Sequence, residues 1–258
     1  MSDSFIKEFW NNQGERHGAS HWASWGDENM ISLEVETINK HIETGSLVLD
    51  VGCANGHATA KQFNNNKASK IVGVDYAETM IDAAKQAYSK EIERGEIEFR
   101  QADILRLPFE DNQFDIVYTT RVLINLPNYS QQLDGIKECM RVVKPGGKVI
   151  LLEAFWEPLM LLNSMRQLVG LQSLVEHDFN RYLKLSNLES SLDELDLSYQ
   201  IEDFSSVYYL GSRFLRELVT DVTEYEGYSN PVNNDFYSLQ KKYSGGGMGV
   251  QQAVIISL

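Results

Sequence analysis

The most informative part of this sequence is the stretch Val48-Leu49-Asp50-Val51-Gly52-Cys53-Ala54-Asn55-Gly56-His57. An apolar run of strand length leads into a loop with two glycines, and a helical pattern follows. Gly52 and Gly56 allow the backbone to turn sharply and a ligand to approach it closely. In a parallel sheet, ligands bind at the edge where such strands end. The stretch therefore predicts a strand, a turn and a helix, with Asp50 beside a binding crevice.

Similar apolar runs follow and alternate with helical patterns. The predicted strands are Leu47–Val51, Ile71–Asp75, Ile97–Ala102, Phe114–Thr119 and Lys148–Ala154. Most are rich in Val, Ile and Leu without polar alternation, which is typical of strands covered on both faces. Because buried strands alternate with helices, the sequence predicts an α/β fold with a doubly wound parallel sheet.

The segments on either side of these strands differ in pattern. Residues 1–46 indicate an N-terminal helical cap, and residues 156–198 indicate a helical insertion over the active site. Tyr199–Leu210 and Gly249–Leu258 are predicted as two late strands. We therefore expect one domain over residues 1–258, with a cap and an insertion.

Composition limits the partners of this protein. The 258 residues include 37 acidic and 23 basic residues, which gives a net charge of −14. Such a surface repels nucleic acid and anionic lipid, so we expect neither as a partner. Two cysteines, no signal-peptide pattern and no long apolar stretch favour a cytoplasmic location. The five histidines show no metal-ligand spacing with acids, so we predict no metal site.

Acidic residues also follow the second and third strands. Asp75 ends the second strand, where a carboxylate can accept hydrogen bonds from both hydroxyls of a ribose. Asp103 follows the third strand, beside Ile104, which suits an adenine ring. The Gly-x-x-x-Gly spacing lacks the third glycine of a dinucleotide fingerprint, and Asp50 would repel a pyrophosphate. A cation-bearing nucleoside is therefore favoured, with an ordinary strand–helix turn as the alternative.

Five segments in this order resemble the class I S-adenosylmethionine-dependent methyltransferases. They are Val48–Gly56, Val72–Met80, Gln101–Leu107, Phe114–Asn125 and Arg141–Gly147. The resemblance implies a Rossmann-like, three-layer α/β/α sandwich with a seven-stranded sheet, whose last strand is antiparallel. It also implies S-adenosyl-L-methionine as the methyl donor and S-adenosyl-L-homocysteine as the product.

The resemblance carries cofactor-binding roles onto matching positions. The glycine loop would surround the methionine portion, Asp75 the ribose, and Asp103 with Ile104 the adenine edge. The implied set is Asp50, Gly52, Cys53, Ala54, Gly56, Asp75, Tyr76, Met80, Ala102, Asp103, Ile104, Arg121 and Val122. Cys53 stands where the loop needs only a small residue, so we interpret its thiol as structural.

The acceptor site is less clearly marked, because methyl transfer mainly requires alignment of the acceptor and removal of its proton. We take His21 and Glu153 as candidate bases; the alternatives are packing of the cap and a structural acceptor. The candidate acceptor-binding residues are Trp22, Trp25, Tyr118, Asn125, Arg166, His177, Asn180 and Arg181. The cationic members of this set favour an anionic acceptor, with surface ion pairs as the alternative.

A fainter resemblance links the C-terminal half, including Phe204–Arg213, to small-molecule methyltransferases of bacterial surface-polysaccharide and related biosynthesis. The leading hypothesis is therefore O-methylation of a sugar- or phosphate-bearing metabolite. The alternatives are N-methylation of a small amine, a non-catalytic cofactor-binding subunit and a nicotinamide-dependent oxidoreductase. Whether the protein forms a homodimer stays open.

Overall fold

A seven-stranded mixed sheet forms the centre of the computed structural model, which describes residues 3–65, 67–221, 224 and 227–258. The strands are β1 (Leu47–Val51), β2 (Lys70–Asp75), β3 (Ile97–Gln101), β4 (Phe114–Thr120), β5 (Val143–Ala154), β6 (Ser198–Glu202) and β7 (Gln251–Ser257). Their order is β3-β2-β1-β4-β5-β7-β6. Strands β1 to β5 are parallel, whereas β7 is antiparallel to β5 and β6. This confirms the predicted Rossmann-like sheet and its antiparallel last strand.

Helices surround this sheet. They are α1 (Asp3–His17), α2 (Glu28–Asn39), α3 (His57–Asn65), α4 (Glu78–Ala87), α5 (Ser89–Glu93), α6 (Tyr129–Val142), α7 (Trp156–Leu168), α8 (Leu185–Glu194), α9 (Ser206–Leu210), α10 (Arg216–Val219) and α11 (Asn233–Gln240). Helix α1 packs on α4, and α2 packs on α3 and α11. In the described part of the chain, no helix has the length and apolar content needed to cross a bilayer. The division into a cap at residues 1–46 and an insertion at residues 156–198 stays a prediction.

The central strands form the core of the molecule. Val48, Leu49, Val117 and Ile150 are fully buried, because helices and loops cover the strands on both faces. Burial of each such side chain stabilises the fold by about 1.5–3 kcal/mol relative to its exposure. The core therefore fixes β1 and β4 side by side and holds their carboxyl ends at one edge of the sheet.

The segment Tyr199–Leu210 is not a single strand, contrary to the prediction. Strand β6 ends at Glu202, and α9 begins at Ser206. The side chain of Asp203 accepts a hydrogen bond from the N–H of Ser206 at 3.0 Å. This local bond satisfies a free amide of the first helical turn, so the apolar residues that follow continue as a helix.

A π-helical turn, Gly211–Leu215, joins α9 to α10. It begins at Gly211, where an added Cβ would lie 2.1 Å from the ring of Phe236 on α11. The close approach of these elements therefore requires glycine there. Such wide turns are rare and occur often at functional sites.

Asp27 links the N-terminal region to this turn. Its Oδ1 accepts hydrogen bonds from the Met30 N–H at 3.2 Å and from the Tyr208 hydroxyl at 2.7 Å. Its Oδ2 accepts a hydrogen bond from the guanidinium of Arg213. Asp27 is buried, so this network depends on complete pairing of its charge.

Candidate active site

A cleft lies at the carboxyl edge of β1 to β4, with α1 and α2 contributing to its wall. It holds about 1360 Å³ of space, including its open mouth. The predicted residues that line it are Asp50, Gly52, Cys53, Ala54, Asp75, Tyr76, Ala102, Asp103, Ile104, Tyr118, Arg121, Val122 and Asn125. Two further predicted residues, Gly56 and Met80, are not among the lining residues. The structure thus gathers residues from four strand ends around one cleft.

The turn after β1 brings the backbone close to the cleft. Gly52 has a φ of +84°, and an added Cβ would lie 2.0 Å from Cγ2 of Val122. The N–H groups of Gly52 and Cys53 both donate to the carbonyl of Val74, at 2.7 and 2.9 Å. Burial raises the pKa of the Cys53 thiol, which is therefore protonated and unsuited to nucleophilic attack.

Asp50 is buried at the end of β1, next to Tyr118 in the register of β1 and β4. Its Oδ2 accepts a hydrogen bond from the Thr59 hydroxyl at 2.6 Å. Burial raises the pKa of Asp50 to about 7, while hydrogen bonds from Thr59 and Tyr118 oppose the rise. A nearby cation would favour the ionised form, so Asp50 is suited to a positively charged ligand.

Asp75 is held by the loops around it. Its Oδ2 accepts the N–H of Ala54 at 2.8 Å, and its Oδ1 accepts the N–H of Ala77 at 2.9 Å. Burial raises its pKa, and these amides oppose the rise. A carboxylate offers about four lone-pair positions, so capacity remains for ligand hydroxyls.

Asp103 lies at the third strand end. Its Oδ1 accepts the N–H of Leu105 at 2.9 Å, which fixes the loop after β3. Ile104 and Leu105 line the cleft beside it. The site therefore presents apolar side chains next to a carboxylate at this end.

An ion pair that the sequence analysis missed forms another part of the wall. Arg121, after β4, donates to both carboxylate oxygens of Glu34 on α2, at 2.9 and 3.3 Å. Glu34 is buried, and burial raises its pKa while Arg121 opposes the rise. The guanidinium of Arg121 also lies 4.7 Å from the ring centroid of Trp25. The sequence did contain an indication of this pair: Glu34 is an acidic residue on the apolar face of α2, together with Met30 and Ile38, and a buried acid needs a partner.

The candidate bases do not line this cleft. Nδ1 of His21 lies 3.4 Å from Glu28, and its ring is near that of His57. Glu153 is fully buried, and its Oε1 accepts hydrogen bonds from the Thr119 hydroxyl at 2.7 Å and from two backbone amides. Burial raises the pKa of Glu153 to about 7. These contacts fit the structural alternative for Glu153, which positions the loop after β4.

Most of the predicted acceptor residues also lie outside the cleft lining: Trp22, Trp25, Arg166, His177, Asn180 and Arg181. Arg166 is buried and pairs with Glu217 at 2.8 Å. The ring of His177 packs on Phe179 at a centroid distance of 4.4 Å. Arg181 donates to carbonyls of its own loop. These cationic side chains have their own protein partners, and their role in acceptor binding stays a prediction.

No group of three or more His, Cys, Asp or Glu side chains in the described residues could hold a metal ion.

The sequence of this chain is similar to those of known methyltransferases. Residues 49–151 match the family model described as a methyltransferase domain. A demethylmenaquinone methyltransferase of Bacillus cereus is 37% identical over 140 residues, which cover 54% of this chain and 52% of the relative. The chain thus spans about half the length of the curated relatives it matches.

Solved structures show the same fold at low sequence identity. Phosphoethanolamine N-methyltransferase 1 of Haemonchus contortus, in complex with phosphoethanolamine and S-adenosylhomocysteine, is 14% identical with a TM-score of 0.62; the match covers 98% of this chain and 48% of that one. The [4+2]-cyclase SpnF is 17% identical with a TM-score of 0.57, over 98% of this chain and 92% of that one. Because one of these proteins is a cyclase by name, the fold alone does not assign the reaction.

The turn at Gly52 can be tested by substitution. Gly52→Ala should lower the free energy of unfolding by about 2–4 kcal/mol, because it combines an unfavourable φ with overpacking against Val122. Gly45→Ala is the matched control: its φ is +86°, but an added Cβ meets nothing within 4 Å. It should cost only about 1–2 kcal/mol. Equal losses in urea denaturation would show that the contact with Val122 is unimportant.

Proposed function

We propose that this chain, whose residues 49–151 match the methyltransferase family model, transfers the methyl group of S-adenosylmethionine to a small molecule. The observation that carries this proposal is the set of carboxylates at three neighbouring strand ends, Asp50, Asp75 and Asp103, which line one cleft beside the Gly52 turn. The positive charges, the ribose hydroxyls and the adenine amino group of a sulfonium nucleoside each have a suitable acceptor in this set.

The residues of the cleft fit this cofactor. Asp50 is a buried carboxylate without a cationic partner among the described residues, and Asp75 keeps acceptor capacity for ribose hydroxyls. Oδ1 of Asn125 is buried and has no hydrogen-bond partner in the described part of the chain, although its Nδ2 donates to the Arg121 carbonyl. An ammonium group could satisfy this acceptor, since buried polar atoms are rarely left unpaired.

When bound, S-adenosylmethionine supplies a methyl group that its sulfonium charge has already activated. The chain itself holds the cofactor and the acceptor and orients them toward each other. Such positioning lowers the activation barrier by about 7–11 kcal/mol in well-aligned reactions. Asp50 supplies negative charge, Asp75 accepts hydrogen bonds, and the backbone at Gly52 allows close approach. The Glu34–Arg121 pair fixes the wall that faces Trp25.

For the acceptor, we propose a hydroxyl of a sugar- or phosphate-bearing metabolite. Support comes from the resemblance of the C-terminal half to small-molecule methyltransferases of surface-polysaccharide biosynthesis. The match to the family model ends at residue 151 and does not include that half. A quinone is a second candidate, because the curated relatives are named demethylmenaquinone methyltransferases. His21 and Glu153 remain the candidate bases, although neither lines the cleft.

Cofactor binding is tested at Asp75. Asp75→Ala should weaken S-adenosylhomocysteine binding roughly 10- to 100-fold, because hydrogen bonds to a charged acceptor contribute about 1.5–3 kcal/mol. Asp82→Ala, on the exposed side of α4, is the control and should bind normally. Calorimetry gives both affinities. Wild-type protein that prefers a nicotinamide cofactor would contradict the methyltransferase proposal.

The raised pKa of Asp50 predicts a pH dependence. A bound cation favours the carboxylate, so binding should release a proton near pH 7, and affinity for S-adenosylmethionine should rise from pH 6 to 8. Calorimetry in buffers of different ionisation enthalpy measures this release. Asp50→Asn should abolish this proton release. The pKa of Glu153 is also about 7, so proton release that persists in the variant would come from a group other than Asp50.

The same pKa shift affects the free protein. Because the folded-state pKa of Asp50 lies above its ordinary value, its contribution to stability is present at low pH and is lost as the pH rises through about 7. Between pH 3.8 and about 7, the melting temperature of Asp50→Asn should therefore fall less with rising pH than that of the wild type.

Turnover is tested by S-adenosylhomocysteine release with sugars, phosphorylated alcohols, amines and a demethylated quinone. We expect release with a hydroxyl acceptor. If His21 is the base, His21→Ala should reduce turnover about 10²- to 10⁴-fold without affecting cofactor affinity, and His41→Ala should not. Unchanged turnover in His21→Ala would exclude that role, and silence across the whole panel would contradict catalysis.

A further inference from the structure

A cluster of aromatic side chains around a buried arginine adjoins the cleft behind Trp25. One side of Trp25 faces Arg121 of the cleft wall, and its ring also meets Tyr228 edge-on at a centroid distance of 6.0 Å. The guanidinium of Arg213 lies 4.8 Å from the ring centroid of Tyr228 and 5.4 Å from that of Tyr209. Contacts therefore run without a break from the cofactor cleft to Arg213.

Arg213 has donors to spare. It is 9% exposed, and its guanidinium donates to the Ser212 hydroxyl at 2.9 Å and to Asp27. A guanidinium carries five N–H donors, so these two bonds leave several unused. Asp27 also accepts hydrogen bonds from Met30 and Tyr208, so three donors pair with its charge.

Three tyrosine hydroxyls near Arg213 have no hydrogen-bond partner among the residues that the structure describes. They belong to Tyr182, Tyr209 and Tyr228. The hydroxyl oxygens of Tyr182 and Tyr209 are not among the fully enclosed polar atoms that lack a partner, so they are accessible to a ligand, whereas Tyr208 is paired with Asp27. Burial raises the pKa of Tyr182 to about 12 and that of Tyr209 well above its ordinary value, so both hydroxyls are protonated donors at neutral pH. Electrostatic interactions with Arg213, Tyr182 and Tyr228 also affect the pKa of Tyr209, so these groups lie close together.

Positive and negative charges balance around this cluster, although the whole chain carries −14. Three buried arginines, Arg166, Arg213 and Arg216, face Asp27 and the partly buried Glu217. Glu176 is half-exposed and uses one oxygen to accept the N–H of Tyr182. Burial lowers the pKa of Arg216; Glu217 opposes this change, and the guanidiniums of Arg213 and Arg166 add to it.

An amine acceptor fits this cluster poorly. The ring of Trp25 already faces the guanidinium of Arg121, and those of Tyr209 and Tyr228 already face Arg213. A second cation at these rings would be repelled. A phosphate or carboxylate would instead accept hydrogen bonds from the free guanidinium donors and the unpaired hydroxyls.

We propose that Arg213 and the hydroxyls of Tyr182, Tyr209 and Tyr228 form a binding site for an oxyanion of the methyl acceptor, a phosphate or a carboxylate. This inference rests on the proposed function, since it places the acceptor beside the cofactor cleft. Tyr228 is 39% exposed, which leaves the cluster open to solvent on that side.

The test removes single hydroxyls and leaves the rings in place. Phenyl phosphate, benzoate and neutral benzyl alcohol are titrated calorimetrically into protein with and without S-adenosylhomocysteine. We expect the two anions to bind more tightly than benzyl alcohol. Tyr209→Phe and Tyr228→Phe should each weaken anion binding roughly tenfold, as for a lost hydrogen bond to a charged group. Because these hydroxyls have no described partner, neither change should lower the melting temperature.

Tyr88→Phe is the matched control, since Tyr88 is also a half-buried tyrosine but packs on Phe99 near α4. It should leave anion binding unchanged. Absence of anion binding, or equal affinities in wild type and the Tyr209→Phe/Tyr228→Phe double variant, would overturn the inference. Failure to bind S-adenosylhomocysteine would instead contradict the proposed function, and the titration without that compound still tests the anion site. A preference between phenyl phosphate and benzoate identifies the oxyanion.

Discussion

Burial of carboxylates at the carboxyl edge of the sheet is the constraint on which the rest of this structure depends. Asp50 and Asp75 are removed from water by strands that are covered on both faces, and removal from water raises the pKa of each. Backbone amides compensate only in part, so the turn at Gly52 must bring the N–H of Ala54 to Asp75. A bound cation would complete the compensation, which links the stability of this edge to its ligand.

Local patterns in the sequence were sufficient for the sheet and most of the cofactor cleft. Apolar runs and strand-end acids depend on neighbours in sequence, so they predict β1 to β5 and place Asp50, Asp75 and Asp103 together. Partners distant in sequence were not predictable: Glu34 meets Arg121, and Arg166 meets Glu217, only after folding. The predicted role of Arg166 in acceptor binding stays a prediction. Proximity along the chain groups these cationic residues, but it does not show which of them have acidic partners after folding.

The two halves of the site come from different parts of the chain. The cofactor cleft lies largely within residues 49–151, which match the methyltransferase family model. The proposed oxyanion site uses Tyr182, Tyr209, Arg213 and Tyr228, which lie beyond that match. Arg121 and Trp25 connect the halves, because one pairs with Glu34 in the cleft wall and the other contacts Tyr228. Such a division allows the acceptor to change while the cofactor site is kept.

The π-helical turn at Gly211–Leu215 gives this division an evolutionary aspect. A π turn holds one residue more than an ordinary helical turn, and each residue of an α-helix advances by about 100° around its axis. Loss of a single codon there would restore a regular helix and swing Arg213 relative to Tyr209. One deletion, without any change in side-chain chemistry, would therefore change the geometry of the proposed oxyanion site.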